Sequence, residues 1–199
     1  MARCTQLLCV VYSTFLALFV MSTVGRQMAA AEPATSFAAN DVEFLNLMGN
    51  LEGPRGFGTV TDFAPALPAR PLTEMTLAEV LVYQREIRSM GTISSAVGRY
   101  QFIYLTLRDL VETHDISDAL VFDAEVQTYL ARFLMHQCGF YARDTPVLQL
   151  GNCLASVWAA LPLVSGPLRG ESAYSEDGIN KAFVSPDVVI EVLRSRFEW

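Results

Sequence analysis

The stretch NDVEFLNLMGNLEGPRG, residues 40–56, contains a whole helix and the signal that stops it. Phe44, Leu47, Met48 and Leu51 fall at i, i+3, i+4 and i+7, the spacing of one apolar helix face. Asn40 stands where a side-chain oxygen can cap the first turn. Gly53-Pro54 ends the helix, since proline cannot continue one and glycine accepts the backbone geometry of a C-terminus. Glu52 is thereby delivered at the end of an apolar helix. A carboxyl held against apolar side chains has its charged form disfavoured, and the carbonyl dipoles of a helix C-terminus push the same way. Such a group keeps its proton to higher pH and can serve as a general acid. Spacing alone also fits an ordinary solvated glutamate at a helix end.

Outward from this helix the same period recurs. Residues 53 to 75 are rich in Gly and Pro without any period and predict a long loop, of the kind that is usually functional inside a compact domain. Thr76-Leu-Ala-Glu79 is a capping box that opens a helix with Leu77, Val80, Leu81 and Tyr83 on its apolar sides. A second loop, Ser89 to Tyr100, leads into Phe102 to Val111, which reads as helix with some strand character. Asp123 to Gln137 predicts a helix with Val126, Tyr129, Leu130, Phe133 and Leu134 on one face and Gly139 beyond its end. Val147 to Ala160 is apolar nearly all round, as a central buried helix would be, and Pro162 follows it. Ser185-Pro186 opens a last helix that runs to about Phe197. No alternating segment of useful length and no repeat interrupts this pattern. The fold class is mainly α, with loops gathered between helices.

The N-terminus has a different character. Arg3, the apolar run Leu7 to Val24 and Ala29-Ala30-Ala31 are the three parts of a secretory signal peptide. The expected organisation is a signal peptide over 1–31, a flexible lead-in over 32–39 and one domain over 40–199, exported to the periplasm. An uncleaved membrane anchor is the competing reading, because the run approaches the length that spans a bilayer. Without Arg3 and Arg26 the formal net charge of −7 becomes two units more negative. A surface this acidic argues against a nucleic-acid partner, which needs clustered Lys and Arg. Cys138 and Cys153 remain after processing, and an oxidising compartment favours a disulfide between them, with two buried thiols as the alternative.

Several chemistries are absent from the pattern. His114 and His136 have no metal-ligand spacing, so neither a metal nor another cofactor is expected. No G-x-S-x-G elbow offers a serine nucleophile, and no Gly-rich loop cradles phosphate. Carboxylate chemistry remains.

The segments LNLMGNLEGPRGFGTV, SSAVGRYQFIYLTL and LASVWAALP resemble, in this order, three marks of the phage-lambda-type lysozymes, which are lytic transglycosylases of peptidoglycan. MTLAEVLVYQ, FDAEVQTYLARFL and the Ser172, Tyr174, Gly178, Asn180, Lys181, Ala182 pattern are similar to exported bacterial members of the group. The resemblance covers roughly Phe44 to Leu193. It implies a lysozyme-like helical domain with a substrate cleft formed by inter-helix loops, working as a monomer on peptidoglycan glycan strands. It puts the catalytic acid at Glu52, and Ser95, Gly98, Arg99, Tyr100 and Gln101 at the wall of the sugar cleft. In that role Gly98 would let backbone approach the ligand, and Gln101 would offer a donor and an acceptor. Arg99 fits an internal salt bridge equally well, Tyr100 fits packing, and Trp158 fits a core position within its helix. Tyr174 and Asn180 are candidates for ligand contact on a loop.

Most glycosidases use two carboxylates. Asp62 and Glu74 follow Glu52 in the long loop, but neither stands at a motif position. In the family one Glu protonates the leaving oxygen and then accepts the proton of the sugar's own C6 hydroxyl, which attacks C1 and leaves a 1,6-anhydro end; proximity replaces the second carboxylate. A hydrolytic muramidase using Asp62 or Glu74 is the alternative, and a non-catalytic peptidoglycan-binding or apparatus-docking protein is a third reading. By analogy with exported lytic enzymes, a cell-wall-spanning secretion or flagellar apparatus is a possible partner. Gly53 after the acid matches some relatives and not the Ser-Gly type, and the loop from Pro54 to Arg70 is particular to this chain.

Overall fold

A computed structural model describes residues 39–198, so the expected signal peptide and nearly all of the lead-in lie outside the described residues. The described chain is mainly helical. Its α-helices are α1 (Val42–Glu52), α2 (Leu77–Ser89), α3 (Tyr104–Thr113), α4 (Ala124–Gln137), α5 (Val147–Val157) and α6 (Pro186–Ser195), with 3-10 turns at Leu72–Glu74 and Ser175–Asp177. Among the described residues β-structure is confined to isolated bridges such as Val97 with Phe102. No described helix is long and apolar enough to cross a membrane.

Helix starts follow local chemistry. The Thr76–Glu79 capping box closes in both directions, Asp123 caps α4 through the Val126 amide, and Ser185 caps α6 through the Val188 amide. At α1 the cap position belongs to Asp41 and not to Asn40, whose Oδ1 accepts from the Val42 amide at 3.3 Å. The Asp41 carboxylate is drawn away from the helix by stronger donors. It accepts from Arg132 Nε at 2.7 Å and from the Tyr141 hydroxyl at 2.9 Å, and is itself buried.

Four further expectations are corrected. The third helix begins at Tyr104, because Phe102 exchanges backbone hydrogen bonds with Val97 and holds 97–102 as a tight turn. The fifth ends at Val157, and Trp158 is extended (φ −119°, ψ 112°), not mid-helix. Leaving the helix lets the indole turn inward, where Nε1 donates to the Tyr100 carbonyl at 3.1 Å. Helix α5 buries only Leu150, Gly151, Leu154 and Ala155, with Leu148 exposed, so it is amphipathic and not encased. On α4 the buried stripe is Gln127, Leu130, Ala131, Leu134 and Met135, while Val126, Tyr129 and Phe133 are half-buried at its edge. A glutamine can lead that stripe because its amide finds partners inside.

The core is filled by Phe44, Phe102, Phe122 and Phe140 with Leu and Met from every helix. Helix α5 packs on α6, α6 on α1, and α2 on α3. Cys138 and Cys153 are bonded, with Cα atoms 5.6 Å apart, and tie the end of α4 to α5. The long loop between α1 and α2 lacks periodic structure but is tethered. The Thr61 amide donates to the Ala96 carbonyl at 3.0 Å, the Gly98 amide to Thr59 at 2.7 Å, and the Tyr83 hydroxyl to Ala66 at 2.8 Å.

Candidate active site around Glu52

Glu52 is the last residue of α1, and close backbone packing fixes where that end lies. A Cβ on Gly53 would stand 2.5 Å from the Arg99 carbonyl oxygen and 2.7 Å from its Cα. Only glycine lets the end of α1 meet the turn at 98–101 this closely. The turn is held from the other side by Gln127 of α4. Its Oε1 accepts from the Arg99 amide at 2.9 Å, and its Nε2 donates to the carbonyls of Phe122 (2.8 Å) and Phe57 (3.0 Å). Gln84 of α2 does the same for the preceding segment, donating to Ser95 at 2.7 Å and Phe102 at 2.8 Å. Two buried glutamines therefore carry the backbone that faces Glu52.

A cleft of about 1040 Å³ opens over this framework. It is lined by Glu52, Ser95, Tyr100, Gln101, Tyr174 and Asn180 among the residues singled out above, together with Asp62 and Trp158. Gly98, Arg99 and Glu74 are not among its lining residues. Gly98 serves packing and not ligand approach: at φ +78°, a Cβ there would fall 2.4 Å from Gln127 Oε1. Among the described residues Arg99 makes no salt bridge of the kind expected above. Its Nη2 donates to Asn50 Oδ1 at 3.2 Å, and its guanidinium lies 5.6 Å from the Phe57 ring centroid. Glu74 is exposed, on its 3-10 turn.

Within the cleft the residues differ in how free they are. Ser95 is buried, and its hydroxyl accepts from the Tyr104 amide at 3.0 Å, so it caps α3 from a distance. Tyr100 is buried between the Phe57 and Phe102 rings, with its hydroxyl against Thr128. Gln101 is half-buried and holds φ +47°, a left-handed conformation rare for a side-chain-bearing residue. Its Nε2 donates to the Gly98 carbonyl at 2.7 Å. Strain of this kind persists where surrounding structure imposes it, as at ligand-facing turns. The Tyr174 hydroxyl donates to the Ser156 carbonyl, and Asn180 is held by Asp177.

Four carboxylates line the cleft, and their environments separate them. Burial pushes the Glu52 carboxyl up from its ordinary value, opposed by the Ala160 amide, which donates to Oε1 at 3.0 Å. Asp62 pairs with Arg55 at 2.9 Å and is exposed, and Asp109 accepts from Arg108 Nε at 2.9 Å. The amides of Asn180 and Ile179, with the Asn180 side chain, hold the Asp177 carboxyl below its ordinary value. Burial thus biases Glu52 toward its acid form, the state a general acid needs before reaction.

Sequence reasoning missed Gln84, Gln127, Asp109 and Asp177. For Gln127 a signal existed: it leads Leu130, Ala131 and Leu134 at i+3, i+4 and i+7, a core register occupied by a polar residue. For Asp177 the signal was Asp-Gly-Ile-Asn, a turn sequence in which an Asp side chain binds the following amides. Among the described residues no cluster of His, Cys, Asp or Glu is arranged to hold a metal ion. Comparison of the chain with protein-family models, with curated proteins and with solved structures gives no match in any of the three.

Proposed function

We propose that this chain is an exported lytic transglycosylase of peptidoglycan, a member of the phage-lambda-type lysozyme group, with Glu52 as its single acid and base. The observation that carries the proposal is the contrast among the cleft carboxylates. Burial biases Glu52 toward the protonated form, while Asp62 and Asp109 face arginines and Asp177 is bound by its own loop. The ordered sequence resemblance supports the substrate, and the framework of Gly53, Gln101 and Gln127 gives the motif residues a physical purpose.

In this mechanism a MurNAc-GlcNAc bond lies across the cleft at Glu52. The carboxyl gives its proton to the bridging oxygen as the C1–O bond breaks, and the GlcNAc leaves with a hydroxyl. The C6 hydroxyl of the same MurNAc then attacks C1, and its proton passes to the Glu52 carboxylate. The new C1–O6 bond closes the 1,6-anhydro ring, no water is consumed, and Glu52 ends protonated. Attack within one sugar gains from proximity, so the chemistry needs no second carboxylate.

The test is mass spectrometry of soluble products from purified peptidoglycan, treated with residues 32–199 or with the Glu52→Gln variant. Anhydro-muropeptides from the wild type, reduced about 10²–10⁴-fold in the variant, are expected for the loss of a general acid. A hydrolytic reading rests on Asp62, which lines the same cleft and could hold a water; reducing ends in place of anhydro ends would favour it. No release from a folded wild type would reject both enzymatic readings and favour a binding or docking protein.

A further inference from the structure

The 3-10 turn Ser175–Asp177 and its flanking residues bring four side chains to the cleft: Tyr174 before the turn, Asp177 at its end, and Ile179 and Asn180 after it. Its geometry depends on one carboxylate. Asp177 Oδ1 accepts from the amides of Ile179 (2.7 Å) and Asn180 (2.8 Å), and Oδ2 accepts from Asn180 Nδ2 at 2.5 Å. Gly178 turns the chain between them at φ +71°. A carboxylate ionised by these contacts can only accept. The nitrogen of the Asn180 amide must therefore face Asp177, and its Oδ1 must face away. An isolated asparagine could present either end; this one cannot.

We propose that Asp177 is a positioning residue of the cleft, orienting Asn180 so that Oδ1 is offered to a hydrogen-bond donor on the bound glycan strand. The donor class is the N–H of an acetamido group or a sugar hydroxyl, and the proposal rests on the peptidoglycan reading above. Asp177 itself does not touch the reacting atoms. It sets the polarity of the residue that touches the substrate, and it does so within a few residues of the turn that brings Tyr174 against the Ser156 carbonyl. The loop thus presents an acceptor of fixed direction on the side of the cleft contributed by the C-terminal part of the chain.

The test uses peptidoglycan turnover by residues 32–199 and three variants. In Asp177→Asn, the new carboxamide can still bind the two loop amides, but its nitrogen meets the nitrogen of Asn180. Asn180 must then flip and present a donor where an acceptor belongs. Asn180→Asp sets two carboxylates against each other. The exchanged pair, Asp177→Asn with Asn180→Asp, restores the contact with its polarity reversed and returns an acceptor oxygen at position 180. The expected result is a KM raised about fivefold in Asp177→Asn, with kcat little changed, and recovery in the exchanged pair, the size of one hydrogen bond to substrate. Thermal melts of all proteins accompany the kinetics. An unchanged KM in Asp177→Asn beside an active wild type, whatever its melting temperature, would overturn the positioning role and leave the enzymatic reading standing. Failure of the exchanged pair to recover KM would overturn it as well. A wild type that releases no muropeptides would remove the peptidoglycan reading, and this inference with it.

Discussion

Glu52 concentrates the residue-scale physics of this protein. Its carboxyl is raised by burial and eased by a single amide, that of Ala160. A native state that holds the acid form more tightly than the unfolded chain takes up protons on folding, between the ordinary carboxylate value and the raised one. Stability from this group is therefore present at low pH and lost as pH rises through that window. Glutamine carries no charge to desolvate, and its Oε1 can still accept from Ala160. Glu52→Gln is expected to melt higher than the wild type at pH 7, by about 2–4 °C for each kcal/mol recovered in a domain of this size. The difference should vanish below about pH 4, where both proteins are neutral at this position. Equal melting temperatures at pH 7 would mean that burial does not disfavour the charge of Glu52. If the proposed reaction holds, turnover of the wild type falls over the same rising pH window, since its proposed first step needs the proton.

At the scale of elements, most helix starts and the carboxyl at the end of α1 were legible because their determinants are local. Thr76 meets Glu79, Asp123 meets Val126, and Ser185 meets Val188, all three residues apart. In the turn at 98–101, Tyr100 and Gln101 line the cleft while Gly98 and Arg99 do not, because what packs against those two is distant in sequence. Gly98 and Arg99 look like ligand contacts until Gln127 of α4 is seen against them. That glutamine joins the 98–101 turn, the Phe57 loop and the start of α4 through three hydrogen bonds. Gln127→Leu would leave one buried amide and up to two carbonyls without partners, at about 1–3 kcal/mol each. A loss of about 1–3 kcal/mol for each group left unpaired is expected in urea unfolding, together with loss of the proposed activity, because the backbone facing Glu52 is released. A variant with wild-type stability would show that water replaces the amide and that the clamp is dispensable.

Across the whole molecule, ties distant in sequence hold the helices around the cleft. Asp41 before α1 binds Arg132 and Tyr141, and Arg196 after α6 is buried with its guanidinium donating to the carbonyls of Phe140 and Thr145. The Cys138–Cys153 bond adds a covalent tie between α4 and α5. By loop entropy it contributes about 3 kcal/mol. Reduction, or Cys138→Ser with Cys153→Ser, should lower the melting temperature by about 6–12 °C. Differential scanning calorimetry with and without reductant reads this directly, and an unchanged midpoint would mean that the bond restrains little in the unfolded chain. Helix α5 ends one residue before Trp158, whose indole binds the Tyr100 carbonyl, so loosening α5 should also disturb the cleft floor.

The sequence by itself determined the helical class, most helix starts, the placement of a carboxyl at an apolar helix end, and a cysteine pair available for bonding. Each follows from interactions between neighbours a few residues apart, or from composition. Tertiary structure decided which polar residues are buried and which face the cleft. It left Gly98, Arg99 and Glu74 outside the cleft lining, set Ser95 to capping α3, and brought in Asp177. Those outcomes depend on close approach between segments far apart in the chain, where a Cβ at Gly98 or Gly53 would come within 2.4–2.5 Å of Gln127 or Arg99. Helical periodicity says which residues turn inward; only packing says what they meet there.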